Sequence, residues 1–136
     1  MIKEGKVLLA RHTYGAGRGM LIVPGGYICQ GEMPEEALIR EYLEETGILI
    51  EPRQIIGIRF NLKDWYVAFR AEYVSGTAAS DHDENSEVVW LDVHEALSRD
   101  DVPDLTKKLI QCAVSDGGFE TIEYIGKNPP YKLYGI

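Results

Sequence analysis

Residues 34–47, PEEALIREYLEETG, constrain the fold more than any other stretch, because both ends of a helix are written into them. The fixed φ of Pro34 suits a first turn, Glu35 and Glu36 complement the positive helix end, and Gly47 suits the left-handed residue that closes a helix. The spacing predicts a helix over about 34–46. At 100° per residue Leu38, Ile39, Tyr42 and Leu43 fall on one side, the expected core face. Arg40, Glu41 and Glu44 point away from that face, Glu45 lies on its flank, and Glu41 reaches Glu44 and Glu45 at i+3 and i+4. Like charges so placed destabilise an isolated helix by a few tenths of a kcal/mol per pair, roughly. This helix needs a layer to pack on and something that offsets its charge.

The rest of the chain supplies the layer. KVLLARH (6–12) and MLIVPGG (20–26) are short apolar runs joined by the glycine-rich TYGAGRG, and they read as a hairpin-like pair of strands. RQIIGIRF (53–60) and DWYVAFRAEYV (64–74) read as two more, the second alternating Trp65, Val67, Phe69 and Ala71 on one side. An acidic loop follows, then a strand at VVWLDV (88–93), a short helix at HEALSRD (94–100) and a helix at 104–117 with Leu105, Leu109, Cys112 and Ala113 at helical spacing. From about residue 117 three tyrosines and a Pro-Pro pair predict an irregular or extended tail. Strands on both sides of one central helix, with helices at the end, favour a mixed α/β layered sandwich over a doubly wound parallel sheet. No repeat or linker divides the chain, so 1–136 reads as one domain.

Composition narrows the partners. A formal net charge of −8 repels a nucleic-acid duplex and an anionic membrane alike. Small phosphates remain open to such a chain if it recruits cations first. No apolar run approaches the roughly 20 residues of a membrane span, and MIKEGK lacks the apolar core of a signal peptide, so the expected location is cytoplasmic. Cys29 and Cys112 stand in no ligand or disulfide pattern, and His12, His82 and His94 are scattered.

Six carboxylates, Glu32, Glu35, Glu36, Glu41, Glu44 and Glu45, flank the single Arg40. Clustered hard oxygens are what Mg²⁺ or Mn²⁺ requires. Glu32, eight residues before Arg40, is placed to hold that guanidinium in a bidentate pair without neutralising the other acids.

The segment resembles the Nudix box, G-x5-E-x7-R-E-U-x-E-E-x-G-U, with Gly26, Glu32, Arg40, Glu41, Glu44, Glu45, Gly47 and Ile48 at the required spacing. Tyr42 stands where the family usually has Leu, Val or Ile, a change expected to alter packing and not chemistry. VPGG and EVVWLDV also look like family positions, and the likeness extends over most of residues 6 to 115. The resemblance implies an α/β/α sandwich with a mixed sheet and metal-dependent hydrolysis of a nucleoside diphosphate linked to X. That X covers nucleoside triphosphates, oxidised purines among them, and nucleotide sugars or ADP-ribose. It further implies that Glu41, Glu44, Glu45 and the Gly26 carbonyl bind metal, that Glu84 is an additional metal-binding acid, and that Glu32 and Arg40 form a supporting salt bridge. The general base is expected at Glu41, with Glu84 and Glu87 as alternatives. Tyr14, Arg18 and Trp65 are candidate substrate contacts. The alternative class is a catalytically silent Nudix-like domain that binds a nucleotide as a sensor or interaction module, which loss of a box glutamate would mark; none is lost. Only MIKEG precedes the first long strand. Either the sheet has lost a strand, the tail replaces it, or the start is late, and an exposed edge would favour a homodimer or tail pairing.

Overall fold

The computed structural model describes all of residues 1–136. In chain order it contains β1 (Ile2–Lys3), β2 (Lys6–His12), β3 (Leu21–Ile22), α1 (Pro34–Thr46), β4 (Ile48–Phe60) and β5 (Trp65–Gly76), followed by β6 (Asn85–Asp92), α2 (Val93–Ser98), α3 (Asp104–Val114), β7 (Glu120–Ile122) and β8 (Leu133–Gly135).

β2 is the axis of the molecule. It pairs with β1, β3 and β6, and Val7, Leu8, Leu9 and Ala10 are all buried. An unbroken apolar run is what a strand covered on both faces requires, since successive side chains point to opposite sides. Val7 and Leu9 pack with Leu21, Leu91, Ala96, Val102 and Ile110, the side of α2 and α3. Leu8 packs with Tyr42, Ile48, Ile50 and Ala71, the side of α1 and the long β4–β5 hairpin. Each fully buried Leu or Ile contributes about 1.5–3 kcal/mol of apolar burial, and those on β2 tie the two cores into one α/β/α sandwich.

In place of the expected mixed sheet, all registered pairings are antiparallel. Parallel neighbours need a crossover of a dozen or more residues, whereas β4 and β5 close through the short 61–64 turn, where Asn61 Oδ1 accepts from the N–H groups of Lys63 and Asp64 at 2.8 Å. β4 starts five residues earlier than 53 because Gly47, at φ 74°, ends α1 and hands the chain directly to Ile48. Pro52 is carried at a register shift, the place where a strand tolerates a residue with no N–H to donate.

Two further expectations are corrected. The tail is partly regular: β7 and β8 pair, and Phe119 exchanges both backbone hydrogen bonds with Ile55 of β4 at 2.9 and 3.0 Å. It therefore extends β4 and does not stand in for a strand beside the two-residue β1; the long connector around Pro129 and Pro130 hid the hairpin. On α1, Ala37, Tyr42, Glu45 and Thr46 are buried while Leu43 is 46 % exposed. The inward face is rotated toward Glu45, which Gly25 and Asn85 hold from the loop side. Finally, Arg70 of β5 closes the C-terminal end of α3, donating to the carbonyls of Cys112 and Ala113 at 3.1 Å and to Ser115 and Gly117 beyond them. The Cys112 carbonyl also accepts from the Ser115 N–H and hydroxyl at the helix cap, at 3.3 and 2.8 Å.

Candidate metal and substrate site

The site begins with Arg40. Its Nε and Nη2 donate to the two oxygens of Glu32 at 2.8 and 2.9 Å, a bidentate pair, and its Nη1 donates to Glu41 Oε1 at 2.8 Å. Nη2 also reaches the Tyr27 carbonyl at 3.3 Å, so one guanidinium fastens the 26–32 loop to α1. Glu32 accepts as well from the Cys29 N–H at 2.8 Å. Arg40 first, and that N–H second, hold the Glu32 carboxyl down at about 2. The pair is a fixed charge at any working pH.

Beside it, carboxylate oxygens of Glu41, Glu45 and Glu84 lie within 4.8 Å of one another. Glu41 and Glu45 share a face one helical turn apart, and β6 begins just after Glu84, which brings that acid in from the loop. A Cβ on Gly26 would collide with the Glu41 carboxylate as it is placed here, so glycine lets the loop lie against that carboxylate without turning it away. Glu45 is 3 % exposed; its oxygen has one donor, the Gly25 N–H at 3.4 Å, and its main-chain carbonyl accepts from Asn85 Nδ2 at 2.8 Å. Burial pushes the Glu45 carboxyl up to about 8, the Gly25 N–H opposes this, and Glu84, Glu41 and Asp81 add repulsion. Glu84 is raised too, by partial burial and then by Glu41, Asp81 and Asp83.

No lysine or arginine pairs with Glu45 or Glu84, and Arg40 touches only Glu41 of the three. An all-oxygen donor set with surplus negative charge, drawn together at a cost to the bare protein, fits a hard divalent cation. Glu44 stands apart from this group: it is exposed, and its oxygen lies 3.4 Å from Arg40 Nη1. Its place on α1, one residue from Glu45, turns it outward. Glu87 is drawn away by Arg11 at 2.8 Å.

Gly25 and Gly26 also line a cavity of about 350 Å³ with Tyr27, Trp65 and Phe69 among its walls, and no acidic or basic residue lines it. Trp65 is 79 % exposed and meets Phe60 edge to face at 5.2 Å, so it stands at the surface and not in the core. Tyr14 stacks on His12 with ring centroids 5.8 Å apart. Partial burial, then the charges of Glu84, Glu45 and Glu41, push its hydroxyl up. Arg18 is exposed and forms no ion pair. Sequence reasoning missed Asn85, 1 % exposed, and gave no role to the loop acid Asp81, which accepts from the Asp83 and Asn85 N–H groups at 3.0 Å and shapes the loop that delivers Glu84. Their only trace in the sequence is the acidic loop itself.

A three-layer sandwich thus sets three carboxylates, two from one helix and one from a loop, beside an apolar cavity. The family model for the NUDIX domain matches residues 1–111, and the chain belongs to the Nudix family. It is 33 % identical to the NAD-capped RNA hydrolase NudC of Vibrio atlanticus over 120 residues, 83 % of this chain and 42 % of that protein. It is also 33 % identical to a MutT-like protein of Streptomyces ambofaciens, over 71 % of this chain and 62 % of the other. The chain thus spans less than half the length of the NAD-capped RNA hydrolase it matches. Among solved structures, a NUDIX hydrolase from Nitrosomonas europaea superposes with a TM-score of 0.72 at 23 % identity, covering 81 % of this chain and 63 % of that one. The MutT protein from Methanosarcina mazei superposes at 0.69 and 26 % identity, covering 80 % and 83 %.

Proposed function

We propose that this chain is a divalent-metal-dependent pyrophosphohydrolase that cleaves a nucleoside diphosphate linked to X. The observation that carries the reading is the convergence of Glu41, Glu45 and Glu84 on the same Gly25-Gly26 segment that walls an uncharged cavity. One side is suited to the charged end of a substrate through a cation, the other to a flat, neutral base.

Glu41, Glu45 and Glu84 would hold Mg²⁺ or Mn²⁺, with the Gly26 carbonyl and Glu44 as further ligands from the family motif. Bound there, the cation supplies charge neutralisation of the pyrophosphate oxygens and a more acidic water. Arg40 keeps Glu41 Oε1 occupied, leaving Oε2 to take the proton of the attacking water. Glu84 is the second choice of base, while Glu87 is committed to Arg11. The water oxygen bonds to phosphorus as the anhydride P–O bond breaks, giving a nucleoside monophosphate and phosphorylated X, or pyrophosphate from a triphosphate. Trp65 and Tyr14 would contact the nucleoside in this reading. Relatives whose names include an NAD-capped RNA hydrolase and an ADP-ribose pyrophosphatase support X larger than phosphate.

The test is product release from a panel of nucleoside triphosphates, 8-oxo-dGTP, ADP-ribose, NADH and dinucleoside polyphosphates with Mg²⁺ or Mn²⁺, wild type against Glu45→Gln. Metal-dependent turnover lost in the variant supports the reading; a wild type silent on every substrate refutes it.

A further inference from the structure

The family match stops at residue 111, yet the chain's last residues reach back to residues that wall the cavity. After α3 the chain pairs with β4 at Ile55, Glu120 accepts from Gln54 Nε2 at 2.8 Å, and β8 then crosses toward the start of α1. There the Tyr134 hydroxyl donates to Glu35 Oε1, and Lys132 Nζ lies 3.2 Å from the same oxygen. The Tyr134 ring meets Phe69 edge to face with centroids 5.7 Å apart. Phe69 is a wall of the cavity, and so are Pro34, Ala37 and Leu38 of the first turns of α1.

Glu35 is 7 % exposed although it sits at a helix start, where a glutamate ordinarily faces water. Burial alone would raise its carboxyl. The Tyr134 hydroxyl, its own N–H and Lys132 outweigh that burial and hold it below its ordinary value. Its other oxygen has no partner, so the tail supplies the only side chains that satisfy this buried charge.

We infer that the C-terminal hairpin braces the substrate cavity from behind its walls, with Tyr134 as a positioning residue that fixes Phe69 and, through Glu35, the first turn of α1. The inference rests on the nucleotide-hydrolase reading of that cavity. Tyr134 bonds to Glu35 and meets Phe69, neither of them in the carboxylate cluster, so its effect falls on substrate binding and leaves metal binding alone.

Tyr134→Phe keeps the contact with Phe69 and loses only the bond to Glu35; Tyr134→Ala loses both. On the panel substrate that the wild type turns over fastest, Tyr134→Ala raises KM about tenfold and Tyr134→Phe about threefold, with kcat within about twofold. The Mn²⁺-induced rise in Tm is unchanged in both. Wild-type KM in both folded variants overturns the inference, and so does a fall in kcat accompanied by loss of the Mn²⁺ shift. Should the wild type turn over nothing, the hydrolase reading fails on its own, and the inference is decided by quenching of Trp65 fluorescence on titration with ADP. Weaker ADP binding in Tyr134→Ala sustains it, whereas equal affinity, or no binding to the wild type, ends it.

Discussion

Glu45→Gln in metal-free protein measures what the site costs the fold. Glu45 is almost wholly buried, and burial with the neighbouring charges raises its carboxyl from the ordinary 4.5 to about 8. A carboxyl raised in the folded state contributes no pH dependence below 4.5, where both states hold the proton. Between 4.5 and about 8 the unfolded chain ionises and the folded one does not, so stability falls as pH rises, and above 8 the full deficit remains. At about 1.4 kcal/mol per pKa unit the deficit is bounded near 5 kcal/mol. Protons shared among Glu41, Glu45 and Glu84 reduce it to about 2–3 kcal/mol. Glutamine keeps the acceptor for the Gly25 N–H and cannot ionise. For a chain of this size 1 kcal/mol moves Tm by roughly 3 °C, so in EDTA the variant should melt with the wild type near pH 5 and roughly 7 °C above it at pH 9. With Mn²⁺ at pH 8 the order reverses, because the cation stabilises only the wild type, and more strongly the higher the pH. Scanning calorimetry from pH 5 to 9 decides the matter. A Tm difference that stays flat across that range would refute the claim that the buried carboxylate is a standing cost.

Gly26→Ala drives a Cβ into the Glu41 carboxylate, which must turn away from the site or push the loop back, and should lower kcat by about 100-fold and shrink the Mn²⁺ shift, read by the same panel assay and melts. Arg40→Lys replaces the bidentate grip on Glu32 and the contact to Glu41 with a point charge; kcat should fall more than tenfold, roughly, with KM little changed, and full activity would exclude the clamp role. Arg70→Met removes the guanidinium donors from the end of α3, leaving the Ser115 bonds to the Cys112 carbonyl, and should cost about 1.5–3 kcal/mol in urea unfolding, with a metal response like the wild type. Leu8→Ala empties a fully buried position between α1 and the hairpin and should cost about 2–5 kcal/mol by the same measurement.

What the sequence made legible was local. The bounds of α1 follow from Pro34 and Gly47, and those of β2 from one apolar run, because each depends on neighbours within a few residues. The Glu32–Arg40 pair was legible for the same reason, eight residues along one loop and helix. The helix's inward face was not. Amphipathic counting placed Leu43 inside and Glu45 on the flank, but partners forty and twenty residues away, Asn85 and Gly25, decide that rotation. The same rotation takes Glu44 out of the acidic group and brings Glu84 in. Arg70 at the end of α3 and Tyr134 on Glu35 are pairings across 43 and 99 residues between residue types common on any surface. No periodicity announces them.

The four apolar residues of β2 have a consequence for how faithfully the chain folds. Sliding this strand by one position exchanges the side chains offered to the two cores, yet Val7, Leu8, Leu9 and Ala10 are all hydrophobic, so burial alone discriminates weakly between the native alignment and its neighbour. The discrimination falls to Arg11. It sits opposite Glu87 in the ladder, donates to that carboxylate at 2.8 Å, to the Gly19 carbonyl at 2.8 Å and to Asp101 at 3.1 Å, and a slip would turn its guanidinium toward apolar surroundings with none of the three. Charge at the end of a greasy strand thus acts as its error check, contributing less to how stable the native state is than to which alignment becomes native.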